Sequence, residues 1–386
     1  MTLPRIPIAR PALDAAELEA VAGPLTDGWV VQGPRVKEFE ARFGAFAGAP
    51  HAVATSSCTT ALHLALLALD IGPGDEVILP ALTWVATANV VEMCGARPIF
   101  CDVDPTTWNL DLAQLPALLS PRTRALIAVH LFGLPCDMAA LALAAPGVPV
   151  IEDAACGFGA RIDGRHVGTF GVVGCFSFHP RKAITTGEGG MVTTADAEIA
   201  ARCRSLRDHG ATAPREAGGG FLLPEFNVVG YNYRLTDIQG AIGVAQMGKA
   251  NWILAERTRR AHGYNSLLTG VTALRTPTVP VGMTHGYQSY VCLFAPEAPT
   301  LANVDALNAR RNALMAALEA EGISTRQGTH AVTTLGIYQR KYGLRPEDYP
   351  GALFGDRLTL ALPLYPQMTD DEQARVVEAL SRHLGA

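Results

Sequence analysis

One lysine, Lys182, stands in a short segment in which an amine could do chemistry. An apolar strand predicted over residues 172–178 leads into it, and Pro180 and Gly187 oppose a helix around it. A lysine held beside apolar side chains loses hydration, and its free amine can then attack a carbonyl group. A lone lysine is more often a solvated surface residue, so the surrounding residues must decide between the two interpretations.

A carboxylate, Asp153, follows an apolar strand predicted over residues 148–151. In parallel sheets ligands collect at the carboxyl ends of the strands, which is the position that Asp153 would occupy. A carboxylate there can hydrogen-bond a protonated ring nitrogen and keep it cationic. A helix cap and a metal ligand are the alternatives that the residue type alone leaves open.

Small hydroxyl residues follow another predicted strand, over residues 51–55. The run Ser-Ser-Cys-Thr-Thr at 56–60 leads from this strand into an apolar helical pattern over residues 61–69. Backbone N–H groups at a helix N-terminus point outward at the positive end of the helix dipole, which favours a phosphate group. Ser and Thr before a helix are more often plain N-caps, so the pattern by itself leaves both interpretations open.

The elements that must position these residues alternate between strands and helices. This alternation is typical of a mostly parallel sheet wrapped by helices. We therefore expect an α/β fold with a large domain over residues 1–250 and a smaller α+β C-terminal domain over 251–386, since one core rarely grows beyond ~250–300 residues. Further strands are predicted at 76–80, 97–103, 125–132, 191–194 and 288–294, and helices at 12–25 (opened by Pro11), 35–46, 85–94, 196–206, 238–247, 252–267, 303–321 and 370–384.

Composition disfavours several classes of protein. The net charge of −5 and the scattered Lys and Arg residues offer no basic surface for nucleic acid. The eight cysteines form no Cys-x-x-Cys pair, so neither a zinc site nor a disulfide framework is predicted. The N-terminus lacks the apolar core of a signal peptide, and no window of 18 uninterrupted apolar residues occurs. We expect a cytoplasmic protein with no membrane partner and no metal.

The segment 176–190 reads Phe-Ser-Phe-His-Pro-Arg-Lys-Ala-Ile-Thr-Thr-Gly-Glu-Gly-Gly and resembles the cofactor-lysine segment of the DegT/StrS-type sugar aminotransferases. These enzymes use pyridoxal phosphate (PLP), with pyridoxamine phosphate as the intermediate form, and have PLP fold type I, the aspartate-aminotransferase-like fold. In the family, Ser-Phe-His-x-x-Lys followed by Thr-Thr-Gly-Glu-Gly-Gly holds the lysine that forms a Schiff base with PLP. The resemblance implies that Lys182 is this lysine and that residues 1–250 bind PLP.

The resemblance covers nearly the whole chain and assigns further cofactor contacts. Asp153 is implied to bind the pyridine nitrogen, and Trp84 to stack on the ring, with packing in the core as the alternative for Trp84. Ser177 is implied to bind the phosphate, with an ordinary strand serine as the alternative. The same phosphate role is implied for three consecutive residues, Ser57, Cys58 and Thr59. The cysteine replaces a glycine common in the family, which is tolerable in helical backbone and unfavourable at a positive φ.

The resemblance assigns two further cofactor contacts, at Cys156 and Asn232. Cys156 stands where many members carry a glutamine or histidine that contacts the phenolic oxygen of the cofactor, and a thiol is a weaker donor than either. Asn232 matches an asparagine that reaches the cofactor phosphate of the neighbouring subunit. It implies a homodimer with shared active sites, and a turn residue before a helix is the alternative.

Substrate-binding positions are implied as well, namely Trp29, His179, Arg326 and His330. A guanidinium at Arg326 suits a diphosphate and an imidazole at His330 suits a hydroxyl group. Plain surface positions are the alternative for these two residues. For Trp29 the alternative is packing under the first helix.

The activity implied by the resemblance is transamination. An amino acid, expected to be L-glutamate, would donate its amino group to a nucleotide-linked keto-deoxysugar, with a 4-keto group favoured, for aminosugar synthesis in surface polysaccharide or a secondary metabolite. A keto-cyclitol (scyllo-inosose-type) aminotransferase shares every motif and stays open. A PLP sugar dehydratase is disfavoured because such enzymes carry histidine in place of the lysine. A non-catalytic, PLP-binding regulatory relative is disfavoured because the lysine, aspartate, serine and asparagine are all retained.

Overall fold

Strands and helices alternate along most of the chain. The computed structural model describes residues 4–212 and 224–385. Its strands are β1 (His51–Thr55), β2 (Glu76–Pro80), β3 (Arg97–Cys101), β4 (Thr123–Val129), β5 (Val150–Asp153), β6 (Arg161–Ile162), β7 (Arg165–His166), β8 (Val173–Ser177), β9 (Gly190–Thr194), β10 (Leu274–Arg275), β11 (Met283–Thr284), β12 (Tyr290–Phe294) and β13 (Thr359–Leu362).

A seven-stranded sheet within the described residues has the order β1-β9-β8-β5-β4-β2-β3. From β3 to β8 each strand is parallel to its neighbour, whereas β9 is antiparallel to both β8 and β1. All five residues of β2 and of β9 are buried, as is typical of strands covered by helices on both faces. The predicted α/β fold with a mostly parallel sheet is confirmed.

Helices cover the sheet and build the C-terminal part. They are α1 (Ala15–Asp27), α2 (Pro34–Ala47), α3 (Cys58–Ala68), α4 (Ala86–Met93), α5 (Leu115–Leu118), α6 (Met138–Ala144), α7 (Ala197–Arg207), α8 (Asp237–Gly248), α9 (Ala250–Leu267), α10 (Val304–Ala320), α11 (Gly336–Tyr342), α12 (Pro350–Leu358) and α13 (Asp370–Leu384). Within residues 4–212 and 224–385, no helix combines the length and the apolar character needed to cross a membrane.

The first helix begins later than its sequence predicts. Asp14 caps α1, since its carboxylate accepts a hydrogen bond from the N–H of Ala16 (2.9 Å). The side chain of Glu17 accepts in turn from the N–H of Asp14 (2.8 Å). This reciprocal capping box sets the start of the helix, so the predicted opening at Pro11 is wrong by one turn.

α3 is largely apolar around its circumference because protein surrounds most of it. Leu62, Leu64 and Leu66 are all at most 2% exposed, and the helix packs against β1, β8 and β9 as well as α4 and α7. A helix buried on all sides needs no polar face. Because β1 runs in the same direction as β8 and β5, the N-terminus of α3 lies at the carboxyl edge of the sheet.

The C-terminal part contains a smaller sheet in which β12 is antiparallel to both β10 and β13. The N-terminal segment is hydrogen-bonded to this part of the chain. The N–H of Ile6 donates to the carbonyl of Gly322 (2.8 Å), and its carbonyl accepts from the N–H of Ser324 (3.0 Å). The predicted domain boundary at residue 250 falls at the start of α9 and stays a prediction.

Candidate active site

Strand ends bring the predicted catalytic residues to one edge of the sheet. Asp153 is the last residue of β5 and Ser177 the last residue of β8, and these strands are parallel neighbours. Their carboxyl ends therefore meet at the same edge. Lys182 follows in a non-helical turn, in which its N–H donates to the carbonyl of His179 (2.8 Å).

A cavity of about 390 Å³ opens at this edge. The chain has four lysines, all within the described residues, and Lys182 is the one that lines the cavity. The structure thus gathers most of the residues predicted from the sequence around one space. Those that line it are Ser57, Cys58, Thr59, Trp84, Asp153, Cys156, Ser177, His179, Lys182 and Arg326.

Asp153 is a buried carboxylate, 4% exposed, with few hydrogen-bond donors. One carboxylate oxygen accepts from the hydroxyl of Thr87 (2.8 Å) and the other from the N–H of Ala155 (3.1 Å). Burial raises the pKa of Asp153, and the bonds from Thr87 and Ala155, with the charge of Lys182, offset only part of the rise. A cationic partner in the cavity would lower this pKa again.

The amine of Lys182 reaches the sulfur of Cys156, with Nζ donating to Sγ at 3.2 Å. Cys156 lies in the turn after β5, three residues beyond Asp153, and is the one cysteine in the described chain that is not buried. The catalytic lysine candidate and the unusual cysteine of the sequence are therefore direct neighbours.

The N-terminus of α3 supplies free donors to the cavity. Ser57 caps the helix by accepting from the N–H of Thr60 (3.1 Å). The N–H groups of Cys58 and Thr59 belong to the first turn, where the helix offers no acceptor. Cys58 has helical backbone rather than a positive φ, so cysteine is compatible with this position. Burial raises the pKa of its thiol well above the usual value, and the thiol stays neutral.

Gly190, which ends the Thr-Thr-Gly-Glu-Gly-Gly run, lets this helix end approach the sheet. A Cβ at Gly190 would overlap the carbonyl of Ser57 and lie 2.7 Å from the nitrogen of Cys58. The glycine is therefore required for the contact between β9 and the start of α3. One sequence motif thus serves both the lysine turn and the helix N-terminus.

Aromatic and basic residues form the outer part of the cavity. Trp84 is 55% exposed, and its ring centroid lies 5.9 Å from that of His330, which packs on it from outside the cavity lining. Arg326 is exposed at the rim. Partial burial lowers the pKa of His179, whose Nδ1 accepts from the N–H of Arg181 at 3.2 Å.

Three predicted site residues do not line the cavity of their own chain, namely Trp29, Asn232 and His330. Trp29 is 56% exposed and its indole N–H donates to the carbonyl of Gln32 (3.4 Å). Asn232 is exposed beside Asp208, with which it forms an isolated β-bridge. Their predicted roles at a substrate or at a second subunit stay predictions.

Other cavity residues carry no prediction from the sequence. Thr83 and Thr87 are buried, and their hydroxyl groups lie 3.0 Å apart, so that Thr83 extends the hydrogen-bonded chain to Asp153. Thr87 follows Trp84 by three residues, which is the helical spacing that could have pointed to it. Ile8 also lines the cavity, held by the N–H of Leu364 at 3.1 Å, and no local pattern marks it.

The groups around the cavity fit each part of pyridoxal phosphate. Lys182 offers an amine to its aldehyde, and Asp153 offers a buried carboxylate to its ring nitrogen. Ser177 and the free N–H groups at the start of α3 offer donors to its phosphate at the positive end of the helix dipole. Trp84 offers an aromatic surface to its ring.

Comparisons with known proteins agree with this chemistry. The DegT/DnrJ/EryC1/StrS aminotransferase family profile matches residues 11–381. The chain is 39% identical over 386 residues to the GDP-perosamine synthase of Caulobacter vibrioides, covering 99% of each chain. It is 38% identical over 383 residues to the spore coat polysaccharide biosynthesis protein SpsC of Bacillus subtilis, covering 97% of this chain and 96% of SpsC.

A solved structure gives the same result for the fold. Spr1654 of Streptococcus pneumoniae in its PLP form is 25% identical and superposes with a TM-score of 0.90, covering 99% of each chain. Its PMP form also superposes with a TM-score of 0.90. The chain therefore belongs to the DegT/DnrJ/EryC1/StrS aminotransferase family and is a PLP-dependent transaminase.

Proposed function

We propose that this enzyme moves an amino group from L-glutamate to a nucleotide-linked keto-deoxysugar, with a 4-keto group favoured, in the synthesis of an aminosugar for surface polysaccharide or a secondary metabolite. The observation that carries the proposal is that Lys182 and Asp153 line one cavity with a helix N-terminus. The likeness to a GDP-perosamine synthase and to a spore coat polysaccharide protein supports the sugar substrate.

In this proposal the residues of the cavity divide the work of holding the cofactor. Lys182 would bind PLP covalently, Asp153 would hold its ring nitrogen, and Ser177 with the start of α3 would hold its phosphate. When bound, PLP withdraws electrons from the carbon that carries the amino group. The Nζ of Lys182, once free, is the amine in the cavity that would accept and return a proton.

The walls of the cavity suit a deoxysugar attached to a diphosphate. Arg326 at the rim can bind phosphate oxygens through two parallel N–H groups. The amide oxygen of Gln327 can accept from a sugar hydroxyl, since its amide nitrogen already donates to the carbonyl of Thr329 (2.8 Å) and to Asp356. Ile8 and Phe132 form apolar surface that suits a deoxygenated carbon.

We further infer a homodimer with shared active sites. Asn232 lies outside the cavity of its own chain, and Val228 and Val229 beside it are 52% and 89% exposed. Contiguous apolar surface of this kind is typical of an interface. The Lys182→Ala and Asn232→Ala chains should each be inactive as homodimers. When the two are mixed, hybrid dimers with one intact site should form, and the mixture should recover up to about a quarter of the wild-type activity. No recovery would contradict shared sites.

The cofactor assignment is tested by reduction. The purified yellow protein is treated with borohydride, and the PLP adduct is located among the four lysines by mass spectrometry. We expect the adduct on Lys182, and Lys182→Ala should abolish transamination while the unfolding transition stays cooperative. Lys37→Ala, at an exposed lysine outside the cavity, is the matched control and should keep full activity. An adduct on another lysine would overturn the site.

The substrate assignment is tested by turnover. GDP-, UDP- and dTDP-linked 4-ketohexoses are offered with glutamate as donor, and scyllo-inosose is offered in parallel. We expect one nucleotide sugar to be aminated at least tenfold faster than scyllo-inosose, because a matched contact contributes roughly 1–3 kcal/mol to discrimination between substrates. Preference for scyllo-inosose would instead assign the enzyme to keto-cyclitol amination.

A further inference from the structure

The amine of Lys182 has a sulfur atom as its hydrogen-bond partner. Among the described residues, the bond from its Nζ to the Sγ of Cys156, at 3.2 Å, is the one hydrogen bond that this amine makes. The neighbouring carboxylate of Asp153 is engaged by Thr87 and Ala155 instead. The thiol is therefore the group that the amine contacts in the cavity.

The backbone of Cys156 is held firmly enough to serve as an anchor. The turn that contains it is closed by the N–H of Gly157, which donates to the carbonyl of Ala154 (2.8 Å). Gly133 approaches the carbonyl of Cys156 so closely that an added Cβ would lie 3.2 Å from it. The backbone of Cys156 therefore has a defined place at the cavity wall.

Other groups near the sulfur do not compete for it. Arg257 of α9 is buried, and its guanidinium donates to the carbonyls of Tyr287 (2.9 Å) and Gln288. Cys58 of α3 carries a buried, neutral thiol. Lys182 is therefore the donor from which the sulfur accepts a hydrogen bond.

We propose that Cys156 is a positioning residue that holds the amine of Lys182 at the cavity wall whenever this lysine is not bound to the cofactor. The proposal rests on the proposed function, in which Lys182 is the cofactor lysine. A long lysine side chain released from the cofactor can otherwise rotate away into solvent, since it has many rotamers. A hydrogen bond from a charged donor restricts it to the position from which it rejoins the cofactor.

Two rates test the proposal on the 386-residue chain stripped of cofactor. The first is the reductive methylation of Lys182, measured by mass spectrometry against exposed Lys37. The second is the rate at which added PLP becomes attached to Lys182. In Cys156→Ala we expect methylation about five- to tenfold faster and attachment about five- to tenfold slower, from the loss of one charge-assisted hydrogen bond. A rise in both rates would show a general loosening of the cavity and would overturn the proposal.

Cys156→Ser is the matched control, because a hydroxyl group can still accept from the amine. It should stay within about twofold of the wild type in both rates. Rates in Cys156→Ala equal to those of the wild type, or a serine variant that behaves like alanine, would overturn the proposal. A PLP adduct on a lysine other than Lys182 would contradict the proposed function. The methylation rates would still report whether the sulfur holds the amine of Lys182.

Discussion

Glu152 and Asp153 are consecutive carboxylates on β5, yet their surroundings are opposite. Because successive side chains of a strand point to opposite faces, Asp153 enters the cavity while Glu152 enters the protein interior, where it is fully buried. Glu152 accepts hydrogen bonds from His130 (2.8 Å) and from the N–H groups of Gly168 and Phe170 (2.7 Å each), with a further one from Gly171.

The two pKa values move in opposite directions for this reason. Burial by itself raises the pKa of Glu152, but the bonds from His130 and the backbone amides outweigh it and hold the pKa below the ordinary value. Burial raises the pKa of Asp153, and its two donors offset only part of the rise. A carboxylate saturated by donors stabilises the fold, whereas one left short of donors can bind a cation.

Of the variants that test this comparison, Asp153→Asn should have the largest effect, and the effect should be a loss of activity. The amide cannot stabilise a cationic ring nitrogen, so transamination should fall by about 10²–10³-fold, as for the loss of one preorganised electrostatic contact. Steady-state kinetics measure the loss, and chemical denaturation should give an unfolding free energy no lower than that of the wild type. A variant that retains more than about half of the activity would exclude the pyridine role of Asp153.

Glu152→Gln should reverse this pattern. It places an amide N–H₂ among groups that donate hydrogen bonds, and breaking such a buried polar network costs about 3 kcal/mol of unfolding free energy. Urea denaturation measures it, with Glu19→Gln at an exposed position of α1 as the control. Near-normal kcat in the fraction that remains folded is expected, and a stable but inactive variant would contradict the structural role.

Thr87→Val should produce a smaller loss of activity. It keeps the shape of the side chain but removes the hydroxyl group that donates to Asp153 (2.8 Å), so the carboxylate is less well oriented. A loss of about tenfold in kcat/KM is expected for one hydrogen bond to a charged group. Thr87→Ser retains the donor and should recover most of the activity. Equal activity in the valine and serine variants would show that the hydroxyl group does not orient Asp153.

The pH dependence of stability should show the smallest effect. The folded pKa of Asp153 is raised, so the folded chain binds this proton more tightly than the unfolded chain. The ionisation of Asp153 therefore lowers the free energy of unfolding as the pH rises from about 4 toward the folded pKa. In the cofactor-free chain, Asp153→Asn should gain stability relative to the wild type as the pH rises from about 4 through the folded pKa of Asp153, and the difference should level off above that pKa. A constant difference would contradict the raised pKa.

Local patterns in the sequence predicted much of the sheet and of the site. The strands β1 and β2 have the predicted bounds, 51–55 and 76–80, because continuous apolar runs between turn residues describe buried strands. The segment around Lys182 was recognisable because its glycines and hydroxyl residues are needed for a local turn and a close approach, as Gly190 shows. The first helix was misplaced because a capping box at Asp14 outweighed the proline before it.

Contacts between distant parts of the chain could not be read from such patterns. Thr87 and Asp153 are 66 residues apart. Ile8 reaches the cavity because distant residues, Gly322, Ser324 and Leu364, hold the N-terminal segment. The partnership of Lys182 with Cys156 is of the same kind. Residue types and short spacings specify strands, turns and helix ends, since these depend on neighbours in the chain. The opposite pKa shifts of Glu152 and Asp153 depend instead on which distant groups surround each carboxylate after folding.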